Sequence, residues 1–116
     1  MLRLPVTVRV FLCLSPVDMR RSFDGLAALA DQVVHADPLS GHLFVFRGRR
    51  GDRLKILYWD RDGYALWYKR LEAGTFRFPA AASEATEISP ADLSLILEGI
   101  DPDAAKRRKR FALSPR

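Results

Sequence analysis

Four arginines, Arg47, Arg49, Arg50 and Arg53, fall within seven residues, and that crowding is the first chemistry the sequence offers. Like charges this close repel one another, so folding stability does not account for them. Guanidinium groups form forked bonds with phosphate, and nearby aromatic side chains could stack on bases. Lys55 extends the same basic stretch. Two other readings stand beside phosphate contact: a solvated turn in which Asp52 pairs one arginine, and a surface for a carboxylate-rich protein. A second pair, Arg20-Arg21, directly precedes a helix start, where positive charge is mildly unfavourable. Together with exposed helix amides it could grip a phosphate; the plainer alternative is an ion pair with Asp18 or Asp24. The third group is Lys106, Arg107, Arg108, Lys109 and Arg110, five consecutive cations that no packed element can hold. Such a run adds salt-dependent, sequence-independent affinity for DNA by releasing counterions. It could instead solubilise the chain end or, with Phe111 and Leu113 behind it, dock on a protein.

The location of charge separates these groups. Of the net +5, residues 101–116 hold six basic against two acidic groups, whereas residues 1–100 hold 13 against 12. The expected folded part is therefore nearly neutral, and the basicity belongs mostly to the tail.

Catalysis finds little support. His35 and His42 flank a Pro/Gly turn with no cysteine or carboxylate at ligand spacing, so no metal site is expected. Asp60 and Asp62 read as turn residues bonding their own backbone, whereas a two-metal nuclease needs acids converging from separate elements. Ser15 and Ser22 lack a nucleophile-elbow context, and Gly48 and Gly51 lack the strand-loop-helix frame of a phosphate loop. Cys13 follows Val10-Phe11-Leu12 and has no base near it in sequence, which fits a buried strand thiol. As the lone cysteine it forms no internal bridge, in keeping with a reducing compartment. No enzyme and no cofactor are expected. The longest apolar run, Val10 to Leu14, is five residues, too short to span a membrane. Arg9 interrupts the signal-like start and no small-x-small site follows, so a cytoplasmic protein is expected.

The elements that must position these residues follow from periodicity. Thr7–Leu14 reads as a strand broken by Ser15-Pro16. Ser22 is placed as an N-cap whose hydroxyl accepts a backbone amide. Phe23, Leu26, Ala27, Ala30, Val33 and Val34 then recur at helical spacing, and Asp37-Pro38 with Ser40-Gly41 end that helix. Three strands follow at His42–Phe46, Arg53–Trp59 and Tyr64–Arg70. Asp62-Gly63 marks a hairpin, because tight primed turns need positive φ, and a two-residue loop (Asp62-Gly63) or a four-residue loop (Asp60 to Gly63) gives the same facing. Lys55, Leu57 and Trp59 then share a face with Tyr64, Leu66, Tyr68 and Arg70, while Leu54, Ile56 and Tyr58 share the other with Ala65, Trp67 and Lys69. Both faces are largely apolar, so each needs a cover. Thr75–Phe78 is a candidate short strand, and the Ala/Ser/Glu stretch to Glu87 a loop. Ser89-Pro90-Ala91-Asp92 starts a short helix that buries Leu93, Ile96 and Leu97 and stops at Gly99.

Three segments in this order resemble the TnpB, or Orf2-like, accessory proteins of insertion-sequence family sixty-six. They are Asp18-Met19-Arg20-Arg21-Ser22-Phe23-Asp24-Gly25-Leu26-Ala27, then the run from Gly41-His42-Leu43-Phe44 through Arg53-Leu54-Lys55, and Leu97-Glu98-Gly99-Ile100-Asp101. The linking segment from Tyr58-Trp59-Asp60 to Lys69-Arg70-Leu71-Glu72 matches as well, so the likeness covers roughly residues 5–101. It implies a protein encoded beside a larger transposase that carries the catalytic acids. Arg21-Ser22 stands where the family often has Lys-Gly, and the basic tail is not a shared feature.

The expectation is thus an α+β domain over residues 1–102, with a small antiparallel sheet of four to five strands, one longer and one short helix, and a flexible basic tail at 103–116. Its function would be non-catalytic assistance to DNA transposition. The partners would be DNA, through the arginines, Lys55 and the tail, and the element's transposase, through an apolar sheet face around Trp59, Tyr64 and Tyr68 or through Trp67 on the opposite face. An adaptor that binds transposase without DNA is the alternative.

Overall fold

The computed structural model of the chain describes residues 8–35, 37–79 and 85–102. Five strands, β1 (Val10–Val17), β2 (Leu43–Gly48), β3 (Arg53–Asp60), β4 (Gly63–Arg70) and β5 (Ala85–Ile88), form one sheet in the order β4-β3-β2-β1-β5. Helix α1 (Phe23–Leu29) widens into a π turn over Ala30–Val34, and α2 (Pro90–Leu97) follows β5, so the fold is α+β with one longer and one shorter helical segment.

The sheet is mixed rather than wholly antiparallel, because β1 and β2 run parallel. The intervening α1 segment is the crossover that allows two successive strands the same direction. The remaining pairs are antiparallel. Ser15-Pro16 does not end β1 as expected. The register slips between Cys13 and Val17, and β5 pairs only with Val10–Cys13, so the proline lies where no ladder needs its missing N–H. β5 forms where a loop was expected; its partners are backbone groups of β1, and the Arg9–Glu87 ion pair fastens the two strands. Conversely, 75–78 is not a strand. Leu71 N donates to Asp52 O at 2.8 Å and Phe76 N to Gly51 O at 2.8 Å, which lays the segment along the β2–β3 loop with Phe76 buried.

Alternation along each strand builds two cores. Leu26 and Ala30 pack on Cys13, Phe44, Phe46 and Leu57. Leu93, Ile96, Leu97 and Phe76 cover Val10, Leu12, Leu43, Val45, Leu54 and Ile56 on the other face. Burial on both faces is why the central strands read as nearly continuous apolar runs, and each fully buried Leu or Phe contributes roughly 1.5–3 kcal/mol of transfer free energy. Phe23, placed in the helical stripe by its spacing, is instead 43% exposed.

Helix ends divide in the same way. Ser22 holds the N-cap position of α1, but its hydroxyl makes no capping bond. At α2, Ser89 Oγ accepts from Asp92 N at 3.0 Å and Pro90 takes the first turn, as expected. Gly99 (φ +79°) closes α2, with Gly99 N donating to Ile96 O and Ile100 N to Leu95 O, the paired bonds that satisfy terminal carbonyls. Lys69 Nζ adds a bond to Leu97 O at 3.1 Å.

The β3–β4 facing is the one expected from an even-length loop: Lys55 opposes Tyr68, Leu57 opposes Leu66, and Trp59 opposes Tyr64. Asp60 pairs with Gly63, which leaves Arg61-Asp62 as the loop. The positive φ falls on Arg61 (+55°) rather than on Asp62 or Gly63.

Candidate nucleic-acid interface

Gly51 N donates to Gly48 O at 3.2 Å, and Gly51 takes a φ of +79°. This tight turn swings Arg49 and Arg50 outward between β2 and β3, and both are exposed. The turn that precedes α1 approaches the same end of the sheet. A cleft of about 500 Å³ lies between them, lined by Val17, Asp18, Met19, Arg20, Gly48, Arg49, Arg50, Asp52 and Arg53. Residues 18–20 and 48–53, far apart in sequence, therefore meet here. The approach depends on Gly48, where a Cβ would come within 2.8 Å of Met19 Cγ.

Within the cleft Arg20 is already held. Asp18 Oδ1 accepts from Arg20 N at 2.9 Å and from Nε at 3.1 Å, and Oδ2 accepts from Nη2 at 2.8 Å. The ion-pair alternative for Arg20 is thus the arrangement found, with Asp18 rather than Asp24. The side-chain bond from Arg20, followed by its backbone bond, lowers the Asp18 carboxyl from 3.8 to about 2. Its folded value lies below its unfolded one, so the stability it contributes is present above pH 3.8 and is lost as pH falls through about 2. Carboxyl-carbon NMR titration is expected to give Asp18 a midpoint near 2. Arg20→Ala should return that midpoint toward 3.8; an unchanged midpoint in the variant would show that Arg20 is not the cause.

Arg49, Arg50 and Arg53 have no ion pair with a carboxylate among the described residues. Arg53 Nη1 donates to Tyr68 Oη at 3.3 Å, while its buried Nε and the buried Oδ1 of Asp52 have no hydrogen-bond partner among the described residues. Asp52 forms no ion pair with any of the described arginines. A second groove, of about 440 Å³, continues from Arg53 past Tyr68 to Arg70 and Glu72. Tyr68 is 47% exposed there.

Other expected contacts lie elsewhere. Arg47 faces the α2 side, where its Nε donates to Leu14 O at 2.6 Å and its guanidinium sits 5.2 Å from the Phe78 ring centre. Lys55 is buried: its Nζ donates to Arg21 O at 2.7 Å and lies 4.7 Å from the Tyr68 ring centre. It ties the start of α1 to β3 and is not placed for a surface contact. The signal was available, since Leu54 and Ile56 flank Lys55 in a strand apolar on both faces. Arg21 is exposed and does not line the cleft. Lys106, Arg107, Arg108, Lys109 and Arg110 lie outside the described residues.

Of the aromatic residues, Trp59 and Tyr64 form an edge-to-face pair with ring centres 5.1 Å apart. Tyr64 packs on the α1-side core, and its burial, with Asp37 and Asp24 nearby, raises its hydroxyl pKa. Trp67 packs on the α2-side core and is only partly exposed. Among the described residues no group of three His, Cys, Asp or Glu could hold a metal, and no helix is long and apolar enough to cross a membrane.

Comparison with known proteins places this arrangement in a lineage. The family model described as "IS66 Orf2 like protein" matches residues 8–107. The uncharacterized protein y4jC of Sinorhizobium fredii is 43% identical over 101 residues, covering 87% of this chain and 86% of its own length. The uncharacterized protein y4hO of the same organism is 47% identical over 94 residues, covering 81% and 82%. No solved structure matches the chain.

Proposed function

The chain belongs to the IS66 Orf2-like family of transposition-associated accessory proteins, and from that premise we propose that it assists transposition without catalysis, by holding DNA through the arginine cleft. The observation that supports this most is the meeting of Arg49, Arg50 and Arg53 at one cleft with no carboxylate partner among the described residues. Unneutralised guanidinium groups on a turn are suited to phosphate oxygens, and the five cations at 106–110 would add nonspecific attraction.

Salt titration of binding to duplex DNA tests the proposal. The logarithm of affinity should fall linearly with the logarithm of salt, and Arg49→Ala/Arg50→Ala should make the slope shallower by about 0.9 for each phosphate that is no longer neutralised. An unaltered slope would remove the cleft from the interface and leave DNA binding to the tail.

The partly exposed Trp59–Tyr64 pair favours a second reading, an adaptor for the element's transposase. Co-purification with that transposase, weakened by Trp59→Ala, together with no salt-sensitive DNA binding, would establish the adaptor in place of the DNA-binding role.

A further inference from the structure

On the reading that the chain binds DNA, we propose that the cleft holds one unpaired nucleotide rather than a stretch of duplex backbone. The composition of the cleft carries this. Beside its arginines stands Asp52, which lines the cleft with no ion pair to any described residue, and a carboxylate facing phosphates alone would repel them. The sugar-phosphate backbone of DNA offers only acceptors along its length. Within a DNA ligand, a donor for Asp52 therefore comes from a base: the amino group of cytosine, adenine or guanine, or the ring N–H of guanine or unpaired thymine.

Shape decides how that base arrives. Bases in a duplex are read by convex elements, a helix or a β-ribbon, that enter a groove. A concave site cannot reach them, so the base must leave the duplex or lie beyond its end. The volume of about 500 Å³ accommodates a single nucleotide, and the groove beyond Arg53 passes the exposed ring of Tyr68. That ring offers the next base a stacking surface, the usual means of holding an unpaired strand. In this assignment Arg49, Arg50 and Arg53 take the phosphate, Asp52 accepts from the base of the same nucleotide, and Tyr68 stacks on its neighbour.

Fluorescence anisotropy with three labelled probes tests it: a short blunt duplex, the same duplex with a single-stranded cytosine extension, and the same with an abasic extension. The full chain should bind the cytosine-extended probe about tenfold more tightly than the blunt one. Asp52→Leu, which removes both the charge and the acceptor, distinguishes base contact from plain electrostatics by sign. Removing a negative charge should by itself strengthen binding to all three probes, whereas loss of a base acceptor should abolish the cytosine preference. Tyr68→Leu should weaken the cytosine-extended probe and spare the blunt and abasic ones. Equal binding of the blunt and cytosine-extended probes, or uniform tightening by Asp52→Leu, would overturn the unpaired-nucleotide assignment while leaving DNA binding intact. Absence of salt-sensitive binding to every probe would sink both.

Discussion

Phe44→Ala is expected to destabilise the protein by about 3–5 kcal/mol, a large share of the roughly 5–15 kcal/mol available to a domain of this size. Phe44 is fully buried in the centre of β2, its ring stacked on Phe11 at 5.7 Å, within the cluster that also holds Leu26 and Ala30 of the α1 segment. Truncation leaves a void between sheet and helix that neither can close, because β2 is held on both sides by β1 and β3. The urea midpoint should fall while the denaturant slope stays near that of the parent, since the surface exposed on unfolding barely changes. Phe23→Ala, at a residue 43% exposed, is the control and should shift stability by no more than about 0.5 kcal/mol. Equal losses at the two positions would contradict the division between a packed second turn of α1 and a projecting first residue.

That contrast shows where sequence patterning carries information. Helical spacing placed Phe23 and Leu26 on one stripe, but it does not record where the underlying sheet stops. The β3–β4 facing was legible because a loop of two residues or of four sets the same residues of Leu54–Trp59 and Tyr64–Arg70 on one face. The direction of β1 against β2 was not, because a short apolar run such as Val10–Leu14 fits either orientation. β5 escaped because Ala85, Thr86 and Glu87 pair through their backbone and bury little.

The site was legible by composition and hidden in its geometry. Crowding picked out Arg49, Arg50 and Arg53, yet alternation along β2 sends Arg47 to the α2 side with Leu43 and Val45. Charge alone placed Lys55 with the arginines; its apolar neighbours carried the better signal. The junction of residues 18–20 with 48–53 is a tertiary fact that neither segment encodes by itself.

Gly48→Val tests that junction. A Cβ at this position would lie 2.8 Å from Met19 Cγ and 3.7 Å from Arg53 Cβ, and valine adds two methyl groups beyond it. Met19 must rotate away or the 18–21 turn must lift from the sheet. Overpacking of this kind costs about 1–3 kcal/mol. Here the same displacement should also part Arg20 and Asp18 from Arg49, Arg50 and Arg53. Two readouts should therefore change together: a lower urea midpoint, and a DNA salt slope reduced as far as in Arg49→Ala/Arg50→Ala although no charge has been removed. Gly63→Ala is the control, because no atom lies within 4 Å of a Cβ placed there and its φ is not positive. If Gly48→Val lost stability but kept the full slope, phosphate contact would need only the β2–β3 turn. The meeting of the two segments would then serve folding alone.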